Sequence, residues 1–247
     1  TSDMKIAIIG YGKMGHAIER VALSRGHEIV ATIDVDNRDD IESEAFRQAD
    51  IAIEFTTPAT AEENCLRAFR SGVGVVCGST GWADSRLDEA RAEARRLGMS
   101  FMWSSNYSLG VNIFFRINSE LAAMMARLDQ YKPSVSETHH VHKLDHPSGT
   151  AVTLAKEIVA KSEGRLTAWS ETERGDEIVA VESERRGEVP GIHTIEWDSP
   201  VDTITITHSA KSRDGFALGA VIAAEWVVAN PGVHTIDELL EALVSNA

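Results

Sequence analysis

The stretch from Lys5 to Gly15, KIAIIGYGKMG, constrains the fold more than any other segment, because it joins a short apolar run to a stretch with helical spacing through three glycines. KIAIIG reads as a buried strand and Lys13 to Arg25 as a helix. Gly10 permits the tight turn between them, Gly12 removes a Cβ where a pyrophosphate would approach, and Gly15 lets helix and strand pack closely. Such a helix start offers free N–H groups and a partial positive charge to an anion. The loop residues Gly10, Tyr11, Gly12, Lys13, Met14 and Gly15 are therefore expected to hold the phosphates of a dinucleotide. A second strand, His27 to Asp34, ends on an acidic residue suited to accept hydrogen bonds from an adenosine ribose 2′-hydroxyl. A carboxylate there favours NADH over NADPH, while Lys13 and Arg38 could partly neutralise a 2′-phosphate.

The alternation continues for about a hundred residues. IAIEF (Ile51 to Phe55), VGVVCG (Val73 to Gly78) and MSFMWS (Met99 to Ser104) read as strands, with helical spacing over Ala59 to Arg70 and Asp84 to Leu97. Asn37 to Gln48 is too short and polar for a full helix, so one crossover is abbreviated. Strands alternating with helices predict an α/β fold: a Rossmann-type parallel sheet. In such sheets ligands bind outside the carboxyl ends of the strands, so Phe55 and Thr56, and Gly78, Ser79 and Thr80, are placed to meet the nicotinamide half.

After Asn106 the texture changes. A helix is predicted from about Val111 to Leu128 and another from Ser148 to Lys161. EIVAVESE, GIHTIEW and DTITITHS then follow one another as strands without intervening helices. That run predicts an α+β substrate and oligomerisation domain with a mostly antiparallel sheet. GFALGAVIAAEWVVAN is a strongly apolar helix stopped by Pro231 and Gly232, and TIDELLEALV closes the chain. The predicted division is residues 1–108 with 216–247 as a dinucleotide-binding domain, and 109–215 as the second domain.

A formal charge of −14 without a basic run opposes a phosphate backbone, so nucleic acid is an unexpected partner. Cys65 and Cys77 form no CxxC pair and fit a reducing compartment. No stretch of about 18 apolar residues is present, and a soluble, cytoplasmic protein without membrane contact is expected. Thr1, Ser2 and Asp3, ahead of Met4, are read as an appendage.

ETHHVHKLDHPSGTA, from Glu137 to Ala151, gathers four histidines, a lysine and an aspartate before a helix start. A metal site is disfavoured: Pro147 biases His146 away from helical geometry, and Lys143 puts a cation among the donors. Anion binding suits the residues better. Ser148, Gly149 and Thr150 offer N–H groups and hydroxyls at a helix N-terminus, Lys143 is a second anchor, and a nearby histidine can deliver a proton near neutral pH. The pattern describes a site for a small di-acid that is protonated while hydride arrives from the first domain.

This string is similar to the signature of the dihydrodipicolinate (4-hydroxy-tetrahydrodipicolinate) reductase family of lysine and diaminopimelate biosynthesis. The resemblance spans nearly the whole chain, through FTTP, GSTG, SSNYSLGVN, ITHSAKSRDGFALGAV and WVVANPGVHTIDELL. It implies an enzyme that uses NADH or NADPH to reduce a cyclic conjugated imine bearing two carboxylates. It further implies that His139 is the general acid and Lys143 the second catalytic or anchoring residue. His140, Gly149 and Thr150 become substrate contacts; Ser104, Ser105, Asn106 and Tyr107 join the loops at the nicotinamide. A homotetramer built through the second domain's sheet is also implied. Where family members often carry a basic residue beside the acidic one, Val35 follows Asp34, and the segment after it is shortened. Spacing alone leaves His139 and His142 equivalent as proton donors. It also leaves open a generic dehydrogenase of amino or hydroxy acids and a non-catalytic dinucleotide sensor.

Overall fold

The computed structural model describes residues 2–245; Thr1, Asn246 and Ala247 lie outside them. The chain divides into two compact units, the first holding residues up to Leu109 and from Arg213 onward, the second Gly110–Ser212.

In chain order the first unit begins with β1 (Lys5–Ile9), α1 (Lys13–Ser24) and β2 (Glu28–Ile33). A 3₁₀ segment over Val35–Glu42 and the four-residue α2 (Glu44–Arg47) replace a full crossover helix. Then come β3 (Ile51–Glu54), α3 (Ala61–Arg70), β4 (Val75–Cys77), α4 (Ala83–Leu97) and β5 (Phe101–Trp103). The second unit contains α5, which starts at the boundary (Leu109–Met125), β6 (Lys132–His139), α6 (Gly149–Ala160), β7 (Ala168–Ser170), β8 (Ile178–Arg185), β9 (Ile192–Asp198) and β10 (Thr203–Ser209). The chain re-enters the first unit with α7 (Asp214–Ala229), β11 (Val233–His234) and α8 (Ile236–Ser245).

The first sheet has the order β11-β5-β4-β3-β1-β2, and every pairing is parallel. Helices cover both faces, which explains the unbroken apolar run of β1. Ile6 and Ile8 enter one core with α1, α7 and α8, while Ala7 and Ile9 enter the other with α3 and α4. Each such fully buried isoleucine contributes about 1.5–3 kcal/mol. Successive strands diverge to either side of β1, so the sheet's switch point lies at the carboxyl end of β1, beside the glycine turn.

The second sheet has the order β10-β9-β6-β8-β7 and is mixed. β10–β9 and β9–β6 are antiparallel, as the strand run predicts, whereas β6–β8 and β8–β7 are parallel. The parallel half arises because α6 carries the chain from the end of β6 back to begin the edge strand β7 in the same direction. Residues 171–177 carry it back again, so that β8 enters between β6 and β7 parallel to both. α6 buries Ala151, Leu154, Ala155 and Ile158 against Val135, Val179, Val181, Ile195 and Trp197. Alternate residues of β6 are buried, and the same parity that puts Val135 in this core puts Glu137 and His139 at its edge.

Candidate active site

The dinucleotide half is built at the carboxyl ends of β1, β2 and β3. Gly10 has φ +96°, and a Cβ there would lie 1.9 Å from Phe55 O; a Cβ at Gly15 would lie 2.2 Å from Gly10 O. A Cβ at Gly12 meets nothing within 4 Å. The first and third glycines are thus required by the protein's own packing, while the second leaves open space at the start of α1, the side from which a phosphate would approach. A cleft of about 300 Å³ lies here, lined among others by Gly10, Tyr11, Gly12, Asp34, Phe55 and Thr56. Asp34 is exposed at its rim: Asn37 Oδ1 accepts its N–H at 2.7 Å, and its own Oδ1 accepts from Val35 N at 2.9 Å. Tyr11 stacks on His16 at 4.0 Å between ring centroids and donates its hydroxyl to Glu19. These residues fit a dinucleotide: an open helix start for its phosphates and an outward carboxylate for a ribose.

A second cleft of about 290 Å³ in the same unit is lined by Met14, Phe55, Ser105, Asn106, Tyr107, Arg213 and Phe216. Lys13, Gly15, Gly78, Ser79, Thr80 and Ser104 line neither cleft. Gly78 leaves room for the Phe55 ring, which a Cβ would meet at 2.2 Å. Ser104 Oγ donates to Asn106 O at 2.8 Å, closing the turn of the Ser104 to Tyr107 loop. Tyr107 is buried with its hydroxyl 2.8 Å from Cys77 O.

Sequence reading missed Glu54, the last residue of β3, although it holds two of these loops. Its buried carboxyl accepts from Ser79 Oγ at 2.8 Å, from Cys77 Sγ at 2.9 Å and from Thr56 Oγ1, while Ser79 Oγ also accepts from Thr56 N at 2.7 Å. Burial pushes its pKa up, against the pull of those donors. Trp82 and Trp103 both donate indole N–H to Ser79 O, at 2.9 and 2.8 Å, so the Gly78 to Thr80 loop is pinned from two sides.

In the second unit, three strands bring polar side chains onto the face covered by α6. Glu137 and His139 come from β6, His193 from β9 directly opposite Glu137, and Arg185 from β8 opposite His139. Glu137 is 2% exposed and is the hub. One oxygen pairs with His139 Nδ1; the other accepts from Ser148 N at 3.1 Å and from Arg185 Nη1 at 3.0 Å. Burial alone would raise its pKa, but the bonds from His139, Ser148 and Arg185 bring it down to about 2. Ser148 caps α6, accepting from Ala151 N at 3.2 Å, and its Oγ lies 3.1 Å from His193 Nε2. The His139 and His193 rings meet edge to face at 4.9 Å. Burial, and then the charge of His139, lower the pKa of His193 to about 4, so it is neutral at pH 7.

Gly149 and Thr150 open α6, and their N–H groups have no intrahelical partner, as at any helix start. Lys143 Nζ sits 2.8 Å from Asp145 Oδ1; burial raises the Asp145 pKa but the lysine wins and holds it below the usual range. His140 follows β6 and its Nδ1 is buried with no partner among the described residues. His142 and His146 are largely exposed and paired with Glu188 and Glu171, at 3.0 and 2.8 Å. His139 is thus buried against Glu137, whereas His142 is exposed. Glu137, His139 and His193 have donor atoms close enough to hold a metal ion, as do Glu54, Cys65 and Cys77, yet in both triads the carboxylate is already engaged by protein donors.

The family models for the N-terminus and the C-terminus of dihydrodipicolinate reductase match residues 4–107 and 110–240, in that order along the chain. The chain belongs to the dihydrodipicolinate reductase family. Among curated relatives, the 4-hydroxy-tetrahydrodipicolinate reductase of Christiangramia forsetii is 42% identical over 245 residues, covering 98% of this chain and 100% of that one. That of Archaeoglobus fulgidus is 36% identical, covering 96% and 100%. The dipicolinate-bound dihydrodipicolinate reductase from Paenisporosarcina sp. shares the fold with a TM-score of 0.78 at 21% identity, covering 95% of this chain and 98% of that chain. The family's N-terminal model ends at residue 107 and its C-terminal model begins at 110, either side of the residue where the first compact unit gives way to the second.

Proposed function

We propose that this member of the dihydrodipicolinate reductase family reduces 4-hydroxy-tetrahydrodipicolinate to tetrahydrodipicolinate with NAD(P)H. The substrate, a hydride from the reduced dinucleotide and one proton give the product, the oxidised dinucleotide and one water. The observation that carries this reading is that one chain of this family joins a glycine turn open at Gly12 to a helix start, Ser148 to Thr150, beside a carboxylate-paired histidine.

Gly149 and Thr150 grip a substrate carboxylate with their N–H groups and the Thr150 hydroxyl, His140 is a further contact, and Ser148 holds that helix start in place through Glu137 and His193. Lys143 leaves Asp145 for the second carboxylate, exchanging one anion for another. His139 delivers the proton to the ring carbon next to the one that loses its hydroxyl as water. The dinucleotide, when bound, supplies the hydride. Gly10 to Gly15 hold its phosphates, Asp34 its adenosine ribose, and the loops at Phe55 and Thr56, Gly78 to Thr80 and Ser104 to Tyr107 form the surroundings of its nicotinamide. NADH is the preferred donor, because Asp34 would oppose a 2′-phosphate and Arg38, 3.4 Å from Glu63, is already engaged. The protein works in the cytoplasm as a homotetramer.

Two measurements test this. Enzyme with freshly generated substrate should consume NADH, with kcat/KM for NADH above that for NADPH, and His139→Ala and Lys143→Ala should each lower turnover severely while NADH still binds. Calorimetry should detect pyridine-2,6-dicarboxylate, a flat mimic of the substrate. Normal turnover in both variants, or no binding of the dicarboxylate, would overturn the assignment; a light-scattering mass other than four chains would overturn the tetramer.

A further inference from the structure

Glu137 has no role in the chemistry described so far, yet its carboxylate makes three bonds, to His139, Ser148 and Arg185. It is an ionised carboxylate buried beneath three elements: β6, which carries His139; β8, which brings Arg185; and α6, whose first turn offers Ser148 N–H. An ionised carboxylate only accepts, so the ring nitrogen it faces, His139 Nδ1, must hold a hydrogen. The other nitrogen, Nε2, lies beside Gly191, where a Cβ would come within 3.0 Å of it. A side chain at 191 would crowd that nitrogen, and the backbone there, at φ +151°, suits glycine.

We propose that Glu137 is the positioning residue for the proton donor: it fixes the hydrogen of His139 on Nδ1, so that Nε2 is the atom that exchanges the transferred proton, and its second oxygen locks that ring to the start of the substrate-binding helix. The proposal rests on the reading of His139 as the donor. It explains why a carboxylate stays buried here, and why Arg185 stands on its far oxygen, where it offsets the charge without touching the imidazole. The neighbouring ring, neutral His193, completes the arrangement: its Nε2 meets Ser148 Oγ, so the residue that caps α6 is held by Glu137 through its N–H and by His193 through its hydroxyl.

Glu137→Gln is the informative change because an amide has one accepting and one donating end. Ser148 N–H and Arg185 both donate on one side and claim the oxygen, which turns the NH₂ group towards His139 Nδ1. That nitrogen must then accept, and the hydrogen moves to Nε2. In full-length protein with ¹⁵N-labelled histidines, long-range ¹H–¹⁵N correlation should show His139 as the Nδ1–H tautomer in the wild type and Nε2–H in Glu137→Gln. Turnover should fall about 10²–10⁴-fold, the range for losing a general acid, with KM changed far less, and Glu137→Asp should recover part of it. An Nε2–H tautomer in the wild type, or a Glu137→Gln protein with wild-type tautomer and turnover, would sink the proposal. The wild-type spectrum decides even if the variant does not fold. Normal turnover in His139→Ala together with the tautomer switch in Glu137→Gln would instead sink the assignment of His139 and leave the positioning role standing.

Discussion

At the scale of single residues, the three glycines of the first turn carry different burdens. Gly10→Ala and Gly15→Ala force a Cβ against backbone oxygen at 1.9 and 2.2 Å and should each destabilise the protein by about 1–3 kcal/mol or more, read as a lower midpoint in urea. Gly12→Ala should leave that midpoint unchanged and weaken NADH in a fluorescence titration, because its Cβ projects into open space. Acid should act through Glu137 and His193. The His193 pKa falls from 6.5 unfolded to about 4 folded, and that of Glu137 from 4.5 to about 2, so in both cases the unfolded chain binds the proton first. Stability is therefore lost as pH falls, from 6.5 towards 4 through His193 and from 4.5 towards 2 through Glu137, each on the order of 3 kcal/mol at most. Urea melts at pH 7.5, 5.5 and 4.5 should show the slope, and His193→Asn should flatten it above pH 4.5. The glycine turn was legible because its logic is local backbone geometry. Glu137 lay inside the quoted histidine string without a role, since only the pairing of β6 with β8 and β9 reveals what its carboxylate meets; strand parity, which aligns Glu137 with Val135 and His193 with Ile195, was the available signal.

Among the elements, the apolar runs of the first unit were readable because its central strands β1, β3 and β4 are buried at successive positions. β11, with two residues, and β7, with three, are too short to show a period, and β6 lacks an apolar alternation because its inward positions change from Val135 to Glu137 and His139. Hydrophobic patterning cannot report a strand whose buried face turns polar. α7 shows the same limit from the other side. Its composition marks a buried helix, but not that Gly219 must pass the turn at Tyr107, where a Cβ would lie 1.6 Å from the carbonyl oxygen. Gly219→Ala should lower stability by about 2–3 kcal/mol and disturb the Ser104 to Tyr107 loop, measurable as weakened NADH binding beside a lower melting temperature.

For the molecule as a whole, the proposed assignment gives the dinucleotide to residues of the first unit and the di-acid to residues of the second, so ligand effects should separate. NADH at a hundred times its Kd should stabilise the chain by about 2.7 kcal/mol, and pyridine-2,6-dicarboxylate likewise. In thermal-shift measurements at fixed ligand Gly12→Ala should shrink the first effect and keep the second; losing both would show that the two ligands do not bind independently. Among the described residues no helix is long and apolar enough to cross a membrane. The compact units change over after Leu109 and at Arg213, and a change of texture near Asn106 and Gly215 was legible, because alternating and non-alternating elements have different periods. The parallel half of the second sheet was not, since it depends on where α6 returns the chain. The same return path governs the order of events during synthesis. Ile6, Ile8, Ile51 and Ile53 share a core with Ala217, Ala220, Val221 and Ala224 of α7, which leaves the ribosome only after the entire second unit. The first unit to be translated is therefore the last to close, and until α7 emerges one apolar face of its sheet has only α1 to cover it.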